Sequence, residues 1–180
     1  MNILVNGILN LVKIPAMVKG MRFGENSYIA PGYDFLNVQM KNIHLGDGVL
    51  IGKRAWVQTI DDGTIEIGNN SNIGRNVTIS SRKRVVIGKN VLFSYNVSVL
   101  DHNHEFKDLS CPPVKSGITQ GAEIIISDDC FIGAHSFLMG GVTLGKHCVV
   151  GANSVVTKSF KDYSVIAGSP AKLIRTLAPL

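Results

Sequence analysis

A triangular, all-β parallel solenoid is the fold class this sequence predicts, and three observations predict it. Large apolar residues recur at every sixth position over long stretches. Gly or Ala follows ten of the eighteen. Groups of three such positions begin 18 to 22 residues apart over most of the chain. An amphipathic helix would space its apolar residues three and four apart, and recurrent glycines would cost it about 1 kcal/mol each. Six residues per side suit short strands. Three sides make one coil, and coils stack about 4.8 Å apart, as neighbouring strands do.

The elements follow in order. Residues 1–22 form an N-terminal extension, apolar but interrupted by Asn6, Asn10, Lys13 and Lys19. That is too broken to span a bilayer, and it lacks the basic start and cleavage site of a signal peptide. It reads as an amphipathic segment packed on the body, with at most weak membrane-surface association as the sharper alternative. The solenoid occupies residues 23–160. Its apolar lattice runs through positions 23, 29, 35; 45, 51, 57; 67, 73, 79; 87, 93, 99; 126, 132, 138; and 144, 150, 156, about six coils. All eighteen are Ile, Leu, Val or Phe. Each is expected to point inward, with the small residue four places later also inward. Gly or Asn is expected to take the turns with positive φ. Residues 161–180 read as a C-terminal extension.

The intervals carry one anomaly. From 87 to 126 is 39 residues, two coils' worth for one coil. A loop of about residues 103–123 must therefore protrude, and ordered loops of that length are usually functional. Pro112, Pro113 and Gly117 lie within it.

Composition narrows the class. The chain has 180 residues, the size of a single domain. It is 45% hydrophobic but only 7% aromatic, which excludes disorder. Three cysteines are too few for a disulfide framework, so a reducing, cytoplasmic setting is expected. Net charge is +5, scattered apart from Arg82-Lys83-Arg84. The charge reads as solvated surface, or as a pull on a phosphorylated small molecule. No motif for nucleic acid accompanies it.

A scaffold needs a site before it has a function. His is the side chain best matched to proton transfer near neutral pH. His102 and His104 stand in Asp101-His102-Asn103-His104, where the regular coil gives way to the long loop. Cys130 and Cys148, eighteen residues apart, should stack as buried fillers. Cys111, on the loop, has no assigned role.

Units such as Ile132-Gly133-Ala134-His135-Ser136-Phe137 and Leu144-Gly145-Lys146-His147-Cys148-Val149 resemble the hexapeptide-repeat acyltransferases of the left-handed parallel β-helix fold. The likeness covers about residues 20–177. The left hand comes from the resemblance, since the general crossover rule favours the right. The resemblance implies acetyl-CoA-dependent O-acetylation of a sugar or surface-polysaccharide precursor, by direct attack and with no metal required. It places the catalytic base at His102. His104 is the alternative, because Asn103 stands where sugar-modifying members usually carry Pro. Asp101 orients an imidazole. Strand neighbours point to opposite faces, so its expected partner is His104, a neighbouring subunit or a corner turn. Asn76 matches an acceptor-contacting position.

The resemblance further lays the pantetheine arm of acetyl-CoA along Gly133, Ala134, Ala152, Thr157 and Lys158. It gives CoA phosphates to Lys172 and Arg175 in the closing run Gly168-Ser169-Pro170-Ala171-Lys172-Leu173-Ile174-Arg175. A backbone N–H at Gly140 or Gly141 would stabilise the oxyanion. The family implies a homotrimer with sites at subunit boundaries, and Trp56 would then be core or interface. Three other readings stay open: N-acetylation of an amino sugar or amino acid, a γ-class carbonic anhydrase, and a non-catalytic solenoid. The carbonic anhydrase wants a His pair five residues apart, which this sequence lacks.

Overall fold

The computed structural model describes residues 13–33 and 39–177. It is a parallel β-solenoid of three sheets, each built from one side of successive coils. Sheet A stacks Arg22–Phe23, Ile43–Leu45, Thr64–Ile67, Arg84–Ile87, Ile124–Ile126 and Thr143–Leu144. Sheet C stacks Trp56–Thr59, Thr78–Ser81, Ser98–Leu100, Phe137–Met139 and Val155–Val156. Sheet B runs from Tyr28–Ile29 to Val149–Val150 and then takes Ser164–Gly168, against which Ala171–Thr176 returns antiparallel. The solenoid thus continues into the segment read as a C-terminal extension, because Val165 and Ile166 still pair with Val149 and Val150.

The six-residue lattice is the core. Val57, Ile79, Val99, Leu138 and Val156 form one column in register. Sixteen of the seventeen lattice positions among the described residues are buried, and Phe23 is partly buried; position 35 lies outside the described residues. Each buried aliphatic side chain contributes about 1.5–3 kcal/mol relative to exposure. At the N-terminal end, residues 13–18 are helical and bury Ala16 while Val18 stays exposed. The rest of the expected amphipathic segment, residues 1–12, lies outside the described residues.

Corners between sheets A and B, and between B and C, divide their labour differently from the sequence expectation. The residue three places after the lattice position takes the left-handed backbone. Asn70, Asn90 and Asp129 do so on one corner, and Asn76, Asn96 and Asn153 on the other, with φ between 54° and 61°. Asn and Asp tolerate that region better than other non-glycine residues. The Gly directly after the lattice residue has no positive φ. It is needed for close approach: a Cβ on Gly52 would lie 2.7 Å from the Gly74 carbonyl carbon, and one on Gly68 2.6 Å from that of Gly88.

The small inward residue four places on also works as a bridge. Ser71 Oγ donates to Gly88 O (2.7 Å) and accepts from Val91 N (3.0 Å). Cys130 and Cys148 are buried as expected, and their thiols donate to Gly145 O and Lys161 O in the same way. The contact with Cys148, aided by burial, pushes the Cys130 thiol up, so it stays protonated. Trp56 is 40% exposed on the outer face of sheet C, which removes it from the core.

Candidate active site

All length variation after residue 43 that lies within regular coils falls between sheets C and A. The connections there are 60–63, 82–83, 101–123 and 140–142. The longest begins where strand Ser98–Leu100 ends, and Asp101 bends out of the sheet. Strand alternation therefore stops at residue 100. His102 can fold back on its neighbour, so Asp101 holds His102 as well as the expected corner turn, whose partners here are the amides of residues 82–84. His102 Nδ1 lies 2.9 Å from Asp101 Oδ1.

The Asp101 carboxylate is fully buried and surrounded by donors. Ser81 Oγ donates to Oδ2 at 2.7 Å. The backbone N–H groups of Lys83 and Arg84 donate to Oδ2, both at 2.9 Å, and that of Arg82 to Oδ1 at 2.8 Å. Burial alone would raise this carboxyl. The bonds from His102, Arg82, Ser81 and Lys83 outweigh it, and the group sits below its ordinary value. An ionised carboxylate only accepts, so His102 Nδ1 carries a hydrogen, and in the neutral imidazole the lone pair is on Nε2.

His102 is 12% exposed and lines a cavity of about 420 Å³. Leu100, Phe137, Met139 and Gly140 form one wall, and Thr119, Gln120, Gly121 and Ala122 the other. The second wall is the returning limb of the long loop. Thr119 N donates to Asn103 O (2.8 Å), Asn103 N to Thr119 Oγ1 (3.0 Å) and Ala122 N to Asp101 O (2.7 Å), and these bonds hold it. His104 sits in an isolated bridge with Ile118 and is exposed, outside the cavity lining. Gly140 lines the cavity. Gly141 does not serve as an oxyanion donor, because its N–H is already shared between Ala122 O and Glu123 O.

The other expected residues lie elsewhere. Gly133, Ala134 and Ala152 are on the B–C corner, one side of the triangle from His102, roughly 20 Å along the extended chain. Asn153 N donates to Ala134 O, so Ala134 and Ala152 belong to adjacent coils of one ridge, beside the exposed His135 and Asn153. Asn76 occupies the same corner further up, exposed, in left-handed backbone, and does not line the His102 cavity. Thr157 and Lys158 follow strand Val155–Val156 at the C–A corner. Lys158 lines a second cavity of about 450 Å³ with Phe160, Lys161, Leu173 and Thr176, its Nζ 5.7 Å from the Phe160 ring centre. Lys172 and Arg175 are exposed on the strand Ala171–Thr176, outside that lining. Within one chain, then, the candidate base and the Ala134–Ala152 ridge are not brought together.

Sequence reasoning misses Ser81 and Arg82. The Arg82-Lys83-Arg84 run reads as solvated charge. Its backbone instead wraps the Asp101 carboxylate, and the Arg82 side chain reaches the loop. The remaining histidines lie on outer faces: His44 on sheet A, His135 against Tyr95, and His147 stacked on Tyr163 and 3.6 Å from Asp129. Among the described residues no three His, Cys, Asp or Glu side chains could hold a metal ion, and no helix is long and apolar enough to cross a membrane.

A parallel β-solenoid with a buried aspartate–histidine pair beside a protruding loop defines the class, and comparison with known proteins agrees. The family described as the hexapeptide repeat of succinyl-transferase matches residues 43–81 and 123–158. Galactoside O-acetyltransferase of Escherichia coli is 36% identical over 135 residues, 71% of this chain and 63% of its own length. WbbJ of Escherichia coli, whose name assigns it to lipopolysaccharide biosynthesis as an O-acetyl transferase, is 31% identical over 140 residues, 74% of this chain and 71% of its own. Among solved structures, a mutant of AntD, an N-acyltransferase from Bacillus cereus in complex with dTDP and coenzyme A, shares the fold. Its TM-score is 0.77 at 20% identity, over 94% of this chain and 88% of that one. The chain spans between 45% and 71% of the length of the first curated relatives it matches. It belongs to the hexapeptide-repeat acetyltransferases.

Proposed function

We propose that this protein transfers an acetyl group from acetyl-CoA to a hydroxyl of a sugar or surface-polysaccharide precursor, with His102 as general base. One observation carries the choice of base. The buried Asp101, which accepts five hydrogen bonds, holds His102 by Nδ1, and His102 lines the cavity with Nε2 outside that bond. Nε2 takes the acceptor hydroxyl proton as its oxygen attacks the thioester carbonyl, and the CoA thiolate leaves. Asp101 stabilises the imidazolium that forms. The O-acetyltransferase names of the two Escherichia coli relatives support a hydroxyl acceptor.

The donor is assigned by chemistry and position. Ala134 and Ala152 carry nothing beyond Cβ on two adjacent coils of the B–C corner, beside the exposed His135 and Asn153, and Gly133 lies buried beneath them, an arrangement that suits a pantetheine chain. Thr157, Lys158, Lys172 and Arg175 supply hydroxyl and cations for its amide and phosphate groups. Since that ridge and His102 occupy different corners of one chain, a homotrimer that apposes them between subunits is part of the reading. Asn76 is then an acceptor contact from the same ridge, and Gly140 the remaining candidate for the oxyanion. A cytoplasmic location accords with the free thiols of Cys111, Cys130 and Cys148.

The test is CoA release from acetyl-CoA with a panel of neutral hexosides and amino sugars. His102→Ala should lose turnover, and retained turnover would move the base to His104. A second reading, N-acetylation, predicts release with amino sugars alone.

A further inference from the structure

Outside the aspartate–histidine pair, one residue of the solenoid wall joins a neighbouring coil, the long loop and Asp101, the first two through its side chain and the last through its backbone. Arg82 lies in the two-residue connection between strands Thr78–Ser81 and Arg84–Ile87. Its Nε donates to Asp61 Oδ2 at 2.9 Å. Its Nη1 donates to Thr119 O at 2.8 Å and also to Ile118 O. The side chain is 27% exposed. Its backbone N–H, separately, binds Asp101 Oδ1.

The returning limb of the loop needs such a hold. No residue from 102 to 123 enters the buried hydrophobic core. Phe106, Leu109 and Val114 are all exposed. The limb that supplies Thr119, Gln120, Gly121 and Ala122 to the cavity is therefore fixed by hydrogen bonds rather than by packing. A guanidinium presents several donors in a rigid fork, so it can grip two successive carbonyls while Asp61 fixes it from behind.

We propose that Arg82 is a positioning residue that sets the acceptor wall of the His102 cavity, a role that rests on the acetyltransferase reading for its catalytic meaning. The division of labour is clear. The backbone of residue 82 serves Asp101, and the side chain serves the loop. A side-chain substitution therefore loosens the wall and leaves the base in place.

The first experiment uses the free protein. Hydrogen exchange of the Asn103, Glu105 and Thr119 amides, which close the base of the loop, should accelerate by about tenfold or more in Arg82→Ala with the core amides unchanged. Unchanged exchange at those three amides overturns the proposal. Arg82→Lys, which keeps charge and reach, should recover part of the protection. Asp61→Ala, which removes only the rear support, should show a smaller acceleration and keeps the test open if Arg82→Ala fails to fold. The second experiment measures turnover with acetyl-CoA and p-nitrophenyl β-D-galactoside. Arg82→Ala should raise the acceptor KM about tenfold while the pH dependence of kcat stays in place. A fall in kcat with a displaced pH profile and unchanged KM would overturn the proposal. If the wild-type protein turns over neither this galactoside nor any other acceptor of the panel above, the sugar O-acetylation reading fails, and the exchange measurement still decides whether Arg82 holds the wall.

Discussion

Corners A–B and B–C close by a local rule that repeats from coil to coil. A Gly, Ala or Ser lets the next coil approach, a left-handed residue turns the chain, and a small residue faces inward. The C–A corner follows no such rule. Its connections vary from two residues to more than twenty, and the longest carries His102. The repeating corners are specified by close backbone approach and by short side-chain bridges such as that of Ser71, so they tolerate little. The variable corner is specified by side-chain hydrogen bonds, so its length is free and a buried carboxylate can be built into it. Separation of these tasks lets a rigid stack hold an imidazole in one orientation.

Substitutions on the two kinds of corner put that contrast to the test. The largest effect falls on the variable corner: His102→Ala should cut acetyl transfer by about 10²–10⁴-fold with the solenoid still folded, read by CoA release and calorimetry. Asp101→Ala should come next and should hurt stability as well. It strands Ser81 Oγ and the amides of residues 82–84, which together cost about 3 kcal/mol or more in a denaturant melt. Its pH dependence has a definite sign. The folded carboxyl sits below its ordinary 3.8. Its contribution is therefore fully present above that value and is lost as pH falls through the lower, folded value. Asp101→Asn should flatten the acid limb of the stability curve, and an unchanged limb would show that the carboxylate is not stabilising.

On a repeating corner, Gly52→Ala should cost about 1–3 kcal/mol, because its Cβ meets the Gly74 backbone at 2.7 Å. On the loop, Gly117→Ala meets nothing within 4 Å, so in a thermal melt it should show only the strain of its φ 79°, ψ −152° backbone, about 1–3 kcal/mol, and no clash with a neighbouring coil.

Much of this is legible from residue order. Ile79, Val99 and Leu138 fall in one column because a six-residue period admits one register, and a slip would expose every one of them. Thirty-nine residues between Ile87 and Ile126 have to produce a loop for the same reason. His102 stands out because it sits at that loop's entry. The partner of Asp101 does not, because the strand rule that points away from His102 ends at Leu100, and where a strand ends depends on the coils beside it. Ser81 and Arg82 give no signal either, since their partners are 20 and 36 residues away.

Residue order alone establishes the coil, the core and the place where the coil is interrupted, because those follow from spacing and burial along one chain. Which nitrogen of His102 is free, which wall faces it and what holds that wall are settled only by the packed coils. Those features depend on hydrogen bonds between coils, whose partners are set by stacking height and not by proximity in sequence.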